Sequence, residues 1–163
     1  MALTQTQAAT LKAAILAETD PSFVEARTRG DDGFLAAFFN APASPTLLAW
    51  RTAATARDLD EGADYSAFDS VQAGKRDAWA LFLMYGPRDL TRQKARKVIT
   101  DVWGNATAGS VAEAILQAGS RAATRGEKAL GGNSPATTGT VTALRLTFEG
   151  SITSQDIVQA KSA

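Results

Sequence analysis

The chain places helix start and stop signals close together along most of its length and alternates like a strand in one place only. Thr4 with Gln7 three residues on is a capping-box pattern, in which the threonine hydroxyl takes an orphan amide and the glutamine side chain reaches back. It opens a helix over about Gln5 to Ala17, with Leu11 and Ile15 one turn apart. Asp20 before Pro21 is the cap-then-proline order of a helix start, and "PSFVEARTRG" closes at Gly30. Asp31 and Asp32 open a third short helix, "GFLAAFFN". Ser44 and Pro45 repeat the start signal before Leu47, Leu48 and Trp50, so a further helix is expected there. Phe38, Phe39 and Trp50 read as core, because aromatic side chains supply large buried area.

From Val71 to Tyr85 the sequence "VQAGKRDAWALFLMY" is apolar on nearly every side after Ala78, which predicts a helix near the centre of the fold. Gly86 and Pro87 stop it. Thr91 to Trp103 gives another helix, with Ala95, Val98 and Ile99 as its buried stripe and Gly104 as its end. The longest candidate runs from Ser110 to Leu130, with Val111, Ile115, Ala118 and Ala122 on one face. Gly119 and Gly126 each cost about 1 kcal/mol against alanine in such a helix, so they point to close approach of a neighbouring backbone. Gly131 and Gly132 terminate it, and "NSPATTGT" reads as a mobile linker.

Val141 to Phe148 then reads as a strand rich in β-branched residues. A lone strand cannot satisfy its own backbone, so it must pair with an earlier segment of this chain or with a strand from another copy or another protein. Thr153 with Asp156 caps a last helix, "SQDIVQAK". The expected fold is mainly α: a multi-helix domain with a short β element and an extended arm near the C-terminus. Residues 1–131 form the helical domain, and 132–163, the flexible loop, strand arm and short terminal helix, are part of the same domain or a docking extension of it.

A chain of 163 residues fits one domain with a sizeable core. Lysine plus arginine balance aspartate plus glutamate at 17 each, so no global field draws the protein to nucleic acid or to an anionic membrane. The absence of cysteine and histidine removes thiolate nucleophiles, disulfides, the usual zinc ligands and the side chain that normally titrates near neutral pH. The N-terminal stretch has no basic region and meets acidic residues after a short amphipathic run, which reads as neither signal peptide nor membrane span. Residence in the cytosol is the expectation.

"GGNSPATTGT" lacks the lysine and the strand-before, helix-after order of a phosphate-binding loop. "DLDEGAD" lacks the alternating oxygen ligands of a calcium loop and reads as a solvated turn. No pair of carboxylates and no nucleophile motif nominates a catalytic residue, so neither enzyme activity, cofactor nor metal is expected. The densest basic patch is Arg92, Lys94, Arg96 and Lys97, with Arg88 just before. It is the solvated face of an amphipathic helix or, alternatively, a phosphate-contacting surface without sequence readout.

The succession "NAPASPTLLAWRT", "GKRDAWALFL", "KVITDVWG", "SRAATRGEKALG" and "FEGSITSQDIVQA" resembles a family of small proteins encoded among the head and tail morphogenesis genes of tailed bacteriophages. The resemblance runs from Leu3 to Ala160. It implies a virion structural protein of the neck, a head-tail adaptor ringed beneath the portal, present in the host cytoplasm during assembly. Twelve copies in a cyclic ring, the portal protein and the next neck or tail protein are the implied partners, with non-specific contact to packaged DNA and none to membrane. Under that reading Val141, Leu144, Leu146 and Phe148 dock on a partner by strand addition, and Arg88, Arg92, Lys94, Arg96 and Lys97 line the DNA channel. A tail-completion or minor tail protein is the alternative of the same class, and a small DNA-binding regulator the alternative of another.

Overall fold

The computed structural model describes residues 2–131 and 134–163. Helices α1 (Gln5–Ala17), α2 (Pro21–Arg29) and α3 (Asp32–Asn40) open the chain. Strand β1 (Leu48–Trp50), helix α4 (Ala56–Asp60) and a 3-10 segment over Tyr65–Ser70 lead to α5 (Ala73–Met84) and α6 (Gln93–Trp103). After α7 (Val111–Ala118) come β2 (Ser120–Ala122), α8 (Arg125–Leu130), β3 (Ser134–Thr138), β4 (Val141–Arg145) and α9 (Ser154–Ser162). The fold is mainly α with a small β-sheet, as the sequence predicts. Gly132 and Asn133, part of the expected helix stop and linker, lie outside the described residues.

Two compact units are present, and neither is a continuous stretch of chain. The first takes Met1–Leu47, Ala122–Asn133 and Leu146–Ala163; the second takes Leu48–Arg121 and Ser134–Arg145. The terminal helix falls in the first unit and the strand segment in the second.

In the first unit, capping chemistry sets the helix ends where it was expected. Thr4 and Gln7 exchange both bonds of a capping box, Asp20 accepts the amides of Ser22 and Phe23, and Gly30 closes α2 in the left-handed conformation. Thr153 and Asp156 form a second box at α9. The core holds Leu11, Ile15, Phe23, Leu35, Phe39, Ile152 and Ile157. Asn40 fixes the chain ahead of α9 by donating to the Ile152 carbonyl at 2.8 Å and accepting the Ile152 amide at 2.7 Å.

The second unit is built on a sheet of order β2-β1-β4-β3, with α4 to α7 around a core of Trp50, Leu59, Trp79, Leu90, Ile99, Ile115 and Leu116. β1 runs parallel to β4 with Ala49 opposite Leu144, and β3 runs antiparallel to β4 from Thr138 opposite Val141 to Ser134 opposite Arg145.

Four expectations are corrected here. Ser44 and Pro45 open no helix; the short apolar run behind them is β1, a length at which periodicity cannot separate strand from helix. The long helix from Ser110 to Leu130 is broken at Gly119, which caps α7, and a new capping box of Thr124 with Glu127 starts α8. A side chain at Gly119 would sit 2.2 Å from the Leu90 methyl group, so the position marks tight packing rather than helix continuation. The "NSPATTGT" linker is, from Ser134 on, strand β3. Gly139, with φ of 60°, and Thr140 make the two-residue turn into β4, with glycine where a type II′ turn requires it.

The fourth correction is that the strand ends at Arg145 rather than Phe148; of the two pairings left open for it, the one inside the chain is present. β4 is an inner strand, hydrogen-bonded to β1 on one edge and to β3 on the other. Strand addition therefore has no edge to use at β4.

Candidate functional site

The C-terminal segment read as a docking arm is engaged within its own chain. Val141 is buried in the core of the second unit and Leu144 is half-buried against β1 and β3. In the first unit Leu146 packs against Gly131, and Phe148 packs on the core. On the outer strand β3, Pro135 has no amide to donate, a common protection of exposed sheet edges.

The basic segment around α6 divides in two. Arg96 is 3% exposed. Its Nε donates to the Thr138 hydroxyl at 2.8 Å and its Nη1 to the carbonyls of Leu90 at 2.5 Å and Thr91 at 2.9 Å. The guanidinium also lies 4.8 Å from the centre of a Trp50 ring, a cation–π contact. Burial pushes its pKa down, the nearby charge of Arg145 adds to this, and Asp89 opposes it. Arg96 is thus a core strut that ties α6 to the start of its own helix and to β3, not a channel-lining cation.

Arg88 is likewise committed. It donates from Nε to the Phe82 carbonyl at 2.6 Å and from Nη2 to the Leu81 carbonyl at 3.3 Å, stacking 4.7 Å from the Phe82 ring. A cation at the open C-terminal carbonyls of a helix satisfies groups that have no partner inside the helix. Arg92, Lys94 and Lys97 remain exposed, with Arg92 paired to Asp89 at 2.9 Å and Lys97 to Asp101 at 2.5 Å. The five expected DNA contacts reduce to three outward cations, two of them neutralised on the spot.

Asp89 itself organises the approach to α6. Burial would raise its pKa, but the hydroxyl and amide of Thr91 and the guanidinium of Arg92 outweigh this and hold it below the usual carboxylate value.

A cleft of about 440 Å³ opens in the first unit, lined by Glu18, Asp20, Phe38, Arg125 and Lys128 among others. Arg125 lies 3.8 Å from the Phe38 ring centre. Glu18 accepts the amides of Thr19 and Asp20, and Asp20 caps α2. Two carboxylates face two cations, so the cleft presents no field that would select a charged ligand.

The feature that sequence reasoning missed is the outer face of α5. This helix was expected at the centre of the fold, because apolar residues surround it. In the structure Trp79 is its one fully buried side chain, while Leu81 is 49%, Met84 78% and Tyr85 76% exposed. Ala73, Ala78 and Ala80 are exposed as well, and Lys75 and Asp77 are the exposed charged residues of the helix. Scattered exposed apolar residues are ordinary; a contiguous set on one helix face marks an interaction site. The signal was present in "AWALFLMY", whose apolar residues outnumber what one buried face can hold.

No protein-family model, curated protein or solved structure matches the chain.

Proposed function

We propose that the chain is a structural protein of a tailed-bacteriophage particle, a head-tail adaptor of the neck that works through its surfaces. The observation that carries this reading is the outward apolar face at the end of α5, which suits a protein that is completed by a neighbour. Its polar groups add support, since Arg96, Glu127 and Asp156 are buried and used in caps and carbonyl contacts.

In the assembled neck, copies of the chain form a cyclic ring, twelve by analogy with portal rings, in which one face of each copy meets a different face of the next. The portal protein lies on one side and the next neck or tail protein on the other. Docking falls to exposed faces rather than to β4. Non-specific contact with packaged DNA falls to Arg92, Lys94 and Lys97, and with Asp89 and Asp101 beside them it is weak and sensitive to salt.

The test is the composition of purified particles. Mass spectrometry is expected to find the chain at ring-like copy number, and imaging of the neck to show its density below the portal. Absence from infectious particles, or sequence-selective binding to duplex DNA by the isolated protein, overturns the reading in favour of a regulator.

A further inference from the structure

We infer that the outer face of α5 is a two-fold contact between two copies of this chain, which covers the face before the protein enters its assembly. The inference deepens the assembly reading by naming an occupant for that face. Purified protein alone tests it, whereas particle composition tests the neck reading, so the two fail separately.

The argument begins with spacing. Asp77, Leu81, Met84 and Arg88 follow one another at intervals of four, three and four residues. Asp77, Leu81 and Met84 are a helix stripe of the kind that packs against a second helix, and Arg88, past the end of α5, reaches back to the carbonyls of its last turn. The series of four is also symmetric about a point between Leu81 and Met84. Laid antiparallel on a second copy, the stripe sets Leu81 against Met84 of that copy twice over, and Asp77 against Arg88 at both ends. A contact that matches itself on reversal is the requirement of a two-fold interface.

The charges at the two ends fit this arrangement. The Asp77 side chain is exposed and has no hydrogen bond or ion pair among the described residues. Arg88 lies beyond the last helical turn, but its bonds to the Leu81 and Phe82 carbonyls hold the guanidinium at the helix end. Nη1 of Arg88 has no acceptor among the described residues and is available to a carboxylate. Opposite charges at the two ends favour the antiparallel pairing, because parallel pairing would put like charges together.

Size sets the strength. A helix of twelve residues is about 18 Å long, and a pair of such helices falls short of the roughly 1,200 Å² buried in a standard stable interface. The pair is therefore weak, with a dissociation constant of about 10–500 µM. Like meets like across it, so it is distinct from the ring contact between unlike faces and is given up or remodelled on assembly.

Sedimentation velocity over a concentration series up to about 1 mM is the deciding experiment. Wild-type protein is expected to move from monomer to dimer, and Leu81→Glu with Met84→Glu, both at exposed positions, to raise the dissociation constant more than about a hundredfold. Asp77→Arg alone is expected to weaken pairing about tenfold, part of which returns at 1 M salt.

Mixing the Asp77→Arg protein with Arg88→Asp protein is expected to give a mixed dimer tighter than either variant forms with itself, since both end pairs are then attractive. Should Arg88→Asp fail to fold, the salt-reversible loss in Asp77→Arg carries the charge arm. A wild type that stays monomeric throughout, a dimer indifferent to the double glutamate variant, or charge variants that behave as wild type would each overturn the inference. Coverage of the face by a different protein in the particle, with the chain monomeric in solution, would count against it equally.

Discussion

Two helices of the second unit, α5 and α6, exchange the roles that their compositions suggest. α6 and the residues before it carry the basic patch, the obvious candidate for a working surface, yet Arg96 is buried and Arg88 closes a helix end. α5 carries the most apolar stretch, the obvious candidate for the core, yet half of it faces outward. The difference lies in hydrogen bonding. Arg96 gains three acceptors and an aromatic face in exchange for water, enough to hold a charge inside. Leu81 is only half covered by its own chain, and Met84 and Tyr85 still less, so much of their apolar surface remains available.

On that contrast, Arg96→Ala is expected to be the most damaging single change on either helix. It leaves the Leu90 and Thr91 carbonyls without their donor and removes the contact with Trp50, at a cost of about 3–4 kcal/mol by analogy with other buried polar losses. Denaturant unfolding followed by tryptophan fluorescence measures it. A loss within 0.5 kcal/mol, the usual range for a surface residue, would return Arg96 to the surface and restore the channel reading.

Gly139→Ala comes next. The turn needs a positive φ there, and a side chain would stand 2.1 Å from the Ala106 carbonyl oxygen, so the change costs about 2–3 kcal/mol. Loss of amide protection along both β3 and β4 is the accompanying signature in hydrogen exchange. If protection of β4 survives intact, the hairpin does not hold that strand and the idea of an external partner revives.

Lowering the pH probes the approach to α6 more gently. Asp89 has a folded pKa below its unfolded value, so its contribution is present above the ordinary carboxylate pKa of about 3.9 and is lost as pH falls through the lower folded value. Asp89→Asn is therefore expected to flatten the acid limb of the stability profile while changing little below it. The effect is smaller than either substitution above, because Asp89 is about a third exposed and partly screened. An unchanged acid limb would detach Asp89 from the support of α6.

Much of this architecture is legible in the residues, for reasons that are local. Thr4 with Gln7, Asp20 with Pro21 and Thr153 with Asp156 act within one helical turn, so the caps expected are the caps found. What was illegible depends on distant chain. β1 is a strand because β4 lies beside it, and Thr124 with Glu127 starts a helix of its own although the sequence reads as one uninterrupted period through Gly119. The same holds for function. Nothing within a turn of Arg96 announces that Thr138 and Trp50 close over it, and nothing within α5 tells which of its apolar sides meets the core.

The smallest expected effect sharpens the contrast most. Leu81→Ser and Met84→Ser replace apolar side chains in a helix, a change that in a core would cost several kcal/mol. Here Met84 stands mostly in solvent and Leu81 is half covered, so Met84→Ser should alter the stability of the monomer by no more than about 0.5 kcal/mol and Leu81→Ser by about 1 kcal/mol, with serine's lower helix propensity contributing to both. Thermal or denaturant unfolding at low protein concentration isolates this from self-association, and repetition at high concentration adds whatever pairing contributes. A loss of 2 kcal/mol or more at low concentration would mean that α5 has a second packing partner within the chain, and the helix would revert to the core element its composition suggests.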